Sequence, residues 1–112
     1  MKGTYLGEFE EIVLLAVGIL DDDAYGVSIR NEIETQTKRD INIGAVHTAI
    51  HRLESKGYLK SKFGESTNIR GGKRKRLFVL TTAGIKALSR ARQLRTQMWE
   101  RFPAVLPKNK IA

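Results

Sequence analysis

Apolar residues recur along this chain with the 3.6-residue period of an α-helix in four separate stretches. These stretches are residues 6–20, 25–37, 42–56 and 82–101. Between the third and fourth, two short apolar segments flank a polar stretch that contains adjacent glycines, which is typical of a hairpin. The predicted strands are residues 58–63 and 77–80. The sequence therefore predicts a mainly α fold with a small β-hairpin, and Asp21-Asp22-Asp23 is expected to cap the second helix.

The third predicted helix has the clearest boundaries and an unusual exposed face. Asn42 is a good N-cap residue, and Gly57 suits the left-handed position beyond a helix end. The apolar stripe consists of Ile43, Val46, Ile50 and Leu53. At about 100° per residue, the opposite face carries Gly44, Ala45, Thr48, His51, Arg52 and Ser55. A face with small residues at its start and an arginine further along can approach base edges closely, whereas a solvated helix usually carries several Lys and Glu there.

The link between the two predicted strands is strongly basic. Five bases lie within seven positions without an acid among them: Arg70, Lys73, Arg74, Lys75 and Arg76. DNA carries one phosphate charge per ~1.7 Å of its axis, so clustered bases gain affinity by displacing condensed counterions. Alone, such a run would equally suit a solvated loop. After a helix that fits the major groove, it indicates a winged helix-turn-helix.

Charge and composition support this interpretation. The 112 residues carry a net charge of +8, divided between −6 for residues 1–37 and +14 for residues 38–112. One surface is therefore expected to face a polyanion. There is no cysteine, and the longest apolar run, Ile12 to Leu20, is too short to cross a bilayer. We expect a cytoplasmic, nucleoid-associated protein that has no membrane contact.

Enzymatic and metal chemistry have little support in the sequence. Gly71-Gly72 joins two strands and does not open a helix after a strand, so a phosphate-cradling loop is missing. His47 and His51 are the only histidines, and their four-residue spacing could serve a metal only if a carboxylate such as Glu54 joined them. We therefore predict no enzyme activity, no metal site and no cofactor.

The fourth predicted helix, together with the first, carries more apolar surface than a chain of this size can bury. We expect a homodimer, because two-fold DNA sites are read by two-fold proteins. The predicted interface residues are Phe9, Leu88, Ala91, Leu94, Met98, Trp99 and Phe102. Trp99 has three interpretations at this point: a core residue, a dimer contact, or part of an effector pocket for a flat ligand.

Several motifs resemble the PadR family of bacterial transcription regulators, in particular its short single-domain members. The resemblance runs from about Leu6 to Arg101. Its motifs are Leu14-Leu-Ala-Val, Tyr25-Gly26, Ile43-Gly-Ala-Val-His-Thr-Ala-Ile-His-Arg-Leu-Glu, Lys56-Gly-Tyr-Leu, Gly71-Gly-Lys-Arg-Lys-Arg and Leu80-Thr-Thr-Ala-Gly. It implies a homodimer joined through helix four against helix one, repression from a palindromic promoter site, and a small, often aromatic, effector at the interface.

One departure from the family pattern concerns helix three. The chain has His47 where much of the family has tyrosine, and Thr48 where proline is frequent. Histidine could replace the tyrosine's expected phosphate contact, more strongly below neutral pH.

The sequence thus predicts a winged helix-turn-helix with a C-terminal dimerisation helix. Residues 1–81 are assigned to DNA binding, 82–103 to dimerisation and 104–112 to a loose tail, all in one compact domain. Base-edge contacts are assigned to Ala45, Thr48 and His51, close approach to Gly44, and backbone contacts to Asn42, His47 and Arg52. The basic run, with Arg70, Lys73, Arg74 and Lys75, is assigned to phosphates or the minor groove. The alternatives are a winged-helix module for protein–protein contact, a MarR-like regulator at family level and, more weakly supported, RNA binding.

Overall fold

A computed structural model describes residues 6–64 and 75–103 of the chain. In chain order the elements are α1 (Glu8–Leu20), a 3-10 turn (Asp21–Asp23), α2 (Gly26–Thr37), α3 (Ile43–Ser55), β1 (Leu59–Phe63), β2 (Arg76–Leu80) and α4 (Thr82–Arg101). The mainly α fold with a small hairpin is confirmed. The predicted basic contacts Arg70, Lys73 and Arg74, and the predicted tail 104–112, lie outside the described residues.

Most helix boundaries agree with the periodicity, and two differences have local causes. Helix α1 begins at Glu8, two residues later than predicted, because Gly7 takes the N-cap position and its N–H donates to Glu10 at 2.9 Å. The prediction that the aspartates cap α2 is wrong, since they form the 3-10 turn. At the α2 N-terminus, Ser28 Oγ accepts a hydrogen bond from the Tyr25 N–H at 2.9 Å.

Helix α1 lies at the centre of the structure and contacts α2, α3, β2 and α4. The fully buried side chains of the core are Val13, Leu14, Val17, Ile29, Ile33, Val46 and Leu53. The apolar stripe of α1 is wider than the face that its neighbours cover, so Leu15 and Ile19 are 47% and 60% exposed. Part of the predicted core stripe of α1 is therefore surface.

The hairpin is antiparallel, with a register that runs from Leu59 opposite Leu80 to Phe63 opposite Arg76. Leu59 and Phe78 are buried and hold the sheet against the helices. The Phe78 N–H also donates to the Ala24 carbonyl at 2.8 Å, which ties β2 to the segment before α2. The hairpin is thus fixed at its base to the same core that holds α3.

Helix α4 packs only through its beginning. Thr81 caps it, because its hydroxyl accepts a hydrogen bond from the Gly84 N–H at 3.0 Å. Gly84 lies so close to the Tyr58 carbonyl that a Cβ there would overlap the oxygen, which explains why a glycine occupies this turn. Gly84 and Ala87 are the buried residues of α4, and the side chains from Arg92 onward are exposed. The second half of this helix, about 30 Å long in total, therefore has little cover from the rest of the described chain.

An ion pair joins the beginning of α1 to the end of α3. Glu10 Oε1 lies 2.7 Å from Lys56 Nζ, and the two side chains are 12% and 16% exposed. Burial by itself raises the pKa of Glu10. Hydrogen bonds from Lys56 and the Gly7 N–H, with the charges of Lys56 and Arg52, outweigh burial and lower the pKa below its ordinary value of 4.5.

We expect Glu10→Gln to lower the free energy of unfolding by about 1–2 kcal/mol at neutral pH, because the amide is a weaker acceptor for Lys56. The pKa of Glu10 is lower in the folded state, so the stabilisation exists above the unfolded-state pKa and is lost as the pH falls through the folded-state value. Guanidinium titrations at neutral and acid pH measure this difference. Glu8→Gln, an exposed residue of the same helical turn, is the control, and a Glu10→Gln deficit that persisted in acid would contradict the assignment.

Candidate nucleic-acid interface

The outward face of α3 is continuous and made of small or hydrogen-bonding residues. Seven of its residues are exposed: Gly44, Ala45, His47, Thr48, His51, Arg52 and Ser55. Val46, Ala49, Ile50 and Leu53 face the core and fix the rotation of the helix about its axis. The structure therefore brings the sequence-predicted residues of this helix together on one accessible surface, with no acid in the group.

Asn42 marks the beginning of that face. Its side-chain oxygen accepts a hydrogen bond from the Gly44 N–H at 2.6 Å, as the N-cap prediction required. The cap uses only the amide oxygen, so the NH₂ group stays a donor toward an anion. The first turn of α3 thus presents the Asn42 NH₂ group beside two residues without bulky side chains, Gly44 and Ala45.

His47 lies against the beginning of α2. A Cβ added to Gly26 would be 2.8 Å from His47 Cε1, so the imidazole occupies the space that glycine leaves. His47 is exposed but belongs to the edge of the α3 face nearest to α2, whereas His51 is on the open side. The assignment of His47 to a backbone contact and of His51 to a base-edge contact stays a prediction.

The loop end of the hairpin adds two cations next to this face. Lys75 Nζ lies 4.2 Å from the centre of the Tyr25 ring. One Arg76 guanidinium nitrogen lies 3.2 and 3.1 Å from the two carboxylate oxygens of Glu54. A hollow of about 270 Å³ joins this region to α3, and it is lined by Tyr25, Gly26, Val27, His47, Lys75, Arg76 and Phe78.

Tyr25 and Glu54 are residues that sequence reasoning did not assign to the site. Tyr25 is half-buried, with its ring beneath Lys75. In the sequence, Glu54 was considered only as a conceivable metal ligand. The partners of these two residues are 50 and 22 residues away in the chain, and no local spacing reports such contacts. The one available signal was that Glu54 is the single acid of α3.

A second exposed surface lies along α1 and α4 and is apolar. Its most exposed large side chains are Leu15, Ile19, Ile85, Leu94, Met98, Trp99 and Phe102. Of the predicted interface residues, Phe9, Leu88 and Ala91 are half-buried and the other four are exposed. The interpretation of Trp99 as a core residue is wrong, since it is 71% exposed and stacks on Phe102 with ring centres 5.4 Å apart.

Grooves follow both sides of α4, and an ion pair between Glu11 and Arg95 lies between them. The larger groove measures about 700 Å³ and includes Leu15, Ile85, Leu88, Arg92 and Trp99. The smaller groove includes Leu6, Ala87, Ala91, Leu94 and Met98. Every predicted interface residue of α4 except Phe102 therefore lines one of these grooves.

Within residues 6–64 and 75–103, no cluster of three or more His, Asp or Glu side chains has a geometry that could hold a metal ion. His47 and His51 therefore acquire no third ligand from the described chain. No helix in the same ranges is long and apolar enough to cross a membrane.

Comparisons with known proteins identify relatives of this arrangement. The family model described as "Transcriptional regulator PadR-like family" matches residues 14–90, more than half of the chain. Among solved structures, a transcriptional regulator from Clostridium thermocellum is 28% identical, with a TM-score of 0.63 over 83% of this chain and 90% of that one. A PadR family transcription regulator from Clostridium difficile is 24% identical, with a TM-score of 0.65 over 82% and 92% of the two chains.

RosR of H. salinarum is 20% identical to this chain, with a TM-score of 0.65 over 90% of this chain and 81% of that chain. At these lower identities the likeness is one of fold. A search for similar curated proteins found no match.

Proposed function

The chain belongs to the PadR-like family of transcriptional regulators, and on that premise we propose that it represses transcription as a homodimer on a palindromic DNA site. Proteins of this family are DNA-binding regulators and not enzymes. The proposed setting is the cytoplasm, in association with the nucleoid. The observation that carries the proposal is the exposed face of α3, which has no acid and lies beside the basic residues at the loop end of the hairpin.

We assign α3 to the major groove. Gly44 and Ala45 allow close approach at its beginning, and Ala45, Thr48 and His51 face the base edges. The backbone contacts are assigned to Asn42, His47 and Arg52. The hairpin acts as the wing, and Arg70, Lys73, Arg74 and Lys75 hold phosphates or the minor groove. Phosphate contacts of this kind set the position of the protein, whereas the face of α3 reads the sequence.

A salt series of duplex binding, measured by fluorescence anisotropy, tests the DNA assignment. The region upstream of the protein's own gene is compared with a scrambled duplex. Six to ten phosphate contacts should weaken binding by roughly 10³–10⁵ between about 50 and 200 mM salt. Arg52→Ala should reduce the salt slope by about one, and Thr48→Ala with His51→Ala should lower the preference for the upstream duplex by about tenfold or more.

Lys86→Ala, which removes the same charge from an exposed position of α4 outside both grooves, is the matched control and should leave the preference between duplexes unchanged. Equal and weak binding of both duplexes by the wild-type protein would count against the proposal. In that case a partner other than this DNA region must account for the exposed face of α3.

The homodimer rests on the apolar surface of α1 and α4. Leu94 and Met98 are more than half exposed, on the side of α4 that faces a groove with Leu6 and Ala91. Such exposed apolar stripes mark sites where one protein surface meets another. A two-fold contact along α4 covers the stripe of each copy with that of its partner and places two α3 helices on half-sites about 34 Å apart.

We expect Leu94→Glu with Met98→Glu to convert a dimer into a monomer. The double substitution would bury two negative charges of each copy against the same charges of its partner across the interface. Sedimentation velocity over a range of protein concentrations measures the change. Gln93→Glu with Gln97→Glu adds the same two charges on the polar side of α4 and should leave the dimer intact. A wild-type protein that sedimented as a monomer, or protected a single half-site in a footprint, would contradict the dimer.

An aromatic effector is proposed for the larger groove. Trp99 supplies an accessible ring there, and Arg92 supplies a cation on the same helix for an acidic substituent. Trp99 is the sole tryptophan, so its fluorescence reports directly on this groove. We expect an aromatic carboxylate to quench it saturably, with weaker affinity in Arg92→Gln. Equal quenching by cyclohexanecarboxylate, which cannot stack, would contradict an aromatic site.

A further inference from the structure

Two consecutive basic residues at the loop end of the hairpin contact different parts of the helical body. We call this pair, Lys75 and Arg76, the wing root, because the remaining bases of the run directly precede it in sequence. Lys75 lies over Tyr25, directly before α2, and Arg76 pairs with Glu54 of α3. The loop end of the hairpin is therefore attached to the start of α2 and to α3 at these two residues.

The Lys75 contact is a cation–π interaction. Its ammonium lies 4.2 Å from the Tyr25 ring centre, well inside the roughly 6 Å range in which a ring face attracts a cation. The backbone of Tyr25 is fixed, because its N–H donates to Ser28 Oγ and its carbonyl accepts from the Ile29 N–H at 2.8 Å. The ring that contacts the ammonium therefore projects from a fixed point at the N-terminus of α2.

Arg76 contacts α3, the helix that we assign to the major groove. Both Glu54 carboxylate oxygens accept from one guanidinium nitrogen, and the guanidinium carbon lies 5.4 Å from the Phe78 ring centre. The side chains of Arg76 and Glu54 are 54% and 23% exposed, so the pair contributes little to global stability. Glu54 thus adds little stability, and its negative charge opposes DNA binding. Its position on α3 therefore requires another explanation.

We infer that Tyr25 and Glu54 are positioning residues for DNA binding, which hold the wing root so that the wing and α3 engage the duplex together. The Phe78 N–H bond to the Ala24 carbonyl supplies a third, backbone tie at the same place. This inference rests on the proposed function. Tyr25 and Glu54 increase the fraction of molecules whose wing already has the orientation that the preferred site requires, and apparent affinity falls in proportion when that fraction falls.

Loosening the wing root should lower specific binding more than non-specific binding, because a mobile wing can still find phosphates on any duplex. We expect Tyr25→Leu to reduce the ratio of preferred to scrambled duplex affinity by about two- to fivefold, the range of one exposed cation–π contact. Tyr25→Phe keeps the ring and should retain the ratio. Glu54→Gln should strengthen binding to the scrambled duplex, since it removes a negative charge, yet reduce the same ratio.

Glu32→Gln is the matched control for charge. Glu32 lies on α2 and bonds to Gln36, so its substitution removes one negative charge without touching the wing root. It should leave the affinity ratio unchanged. Proton NMR of the intact protein gives a readout independent of DNA: ring current should shift the Lys75 Hε protons upfield in the wild type and Tyr25→Phe, but not in Tyr25→Leu.

The outcomes separate this inference from the proposed function. A wild-type protein without preference between duplexes overturns both. A wild-type preference that survives unchanged in Tyr25→Leu and Glu54→Gln, although the Lys75 shift is lost, overturns the positioning role alone. If Tyr25→Leu is unfolded at the assay temperature, the result with Glu54→Gln decides, since that variant alters only a partly exposed pair.

Discussion

The burial of one face of α1 is the constraint on which the other elements depend. Val13, Leu14 and Val17 are almost completely excluded from solvent, and the helix that carries them contacts α2, α3, β2 and α4. The orientation of α3, the base of the wing and the direction of α4 are therefore all defined relative to one helix. The opposite face of α1, with Leu15 and Ile19, is exposed and belongs to the surface proposed to form the dimer. Helix α1 thus links the surface proposed to read DNA with the surface proposed to form the dimer.

The three ion pairs among the described residues also connect elements to one another, because each of them joins two different elements. Glu10 links α1 to the end of α3, Glu11 links α1 to α4, and Glu54 links α3 to β2. Two of the three acids come from the acidic first third of the chain, and every basic partner comes from the basic remainder. The uneven charge distribution therefore does more than orient the molecule toward a polyanion. The two more exposed pairs, Glu11–Arg95 and Glu54–Arg76, add little stability, whereas Glu10–Lys56 is largely buried.

The structural features that could be predicted from the sequence are local. Those that could not are contacts between segments that lie far apart in the chain. The caps at Asn42 and Thr81 and the stripe of α3 depend on residues within one or two turns, and the structure contains each of them. The exposure of Leu15 and Ile19 depends on how many neighbours α1 acquires, which its own periodicity does not encode. Similarly, the contacts at the wing root require α2, α3 and β2 to be assembled first. The exposed face of α3 was therefore predictable, whereas the contacts that hold the wing root were not.

The proposed effector groove has a mechanical consequence that follows from this arrangement. The α3 face is attached to the core by four buried side chains, so a ligand distant from it can hardly alter its shape. Helix α4, in contrast, is packed through its first turns and is otherwise open to solvent. A ligand between Leu15 and Trp99 would contact both α1 and α4, and could favour one angle between them by binding that arrangement more tightly. In the proposed dimer, that angle sets the separation of the two α3 helices. Regulation would then act on the spacing of two unchanged reading surfaces.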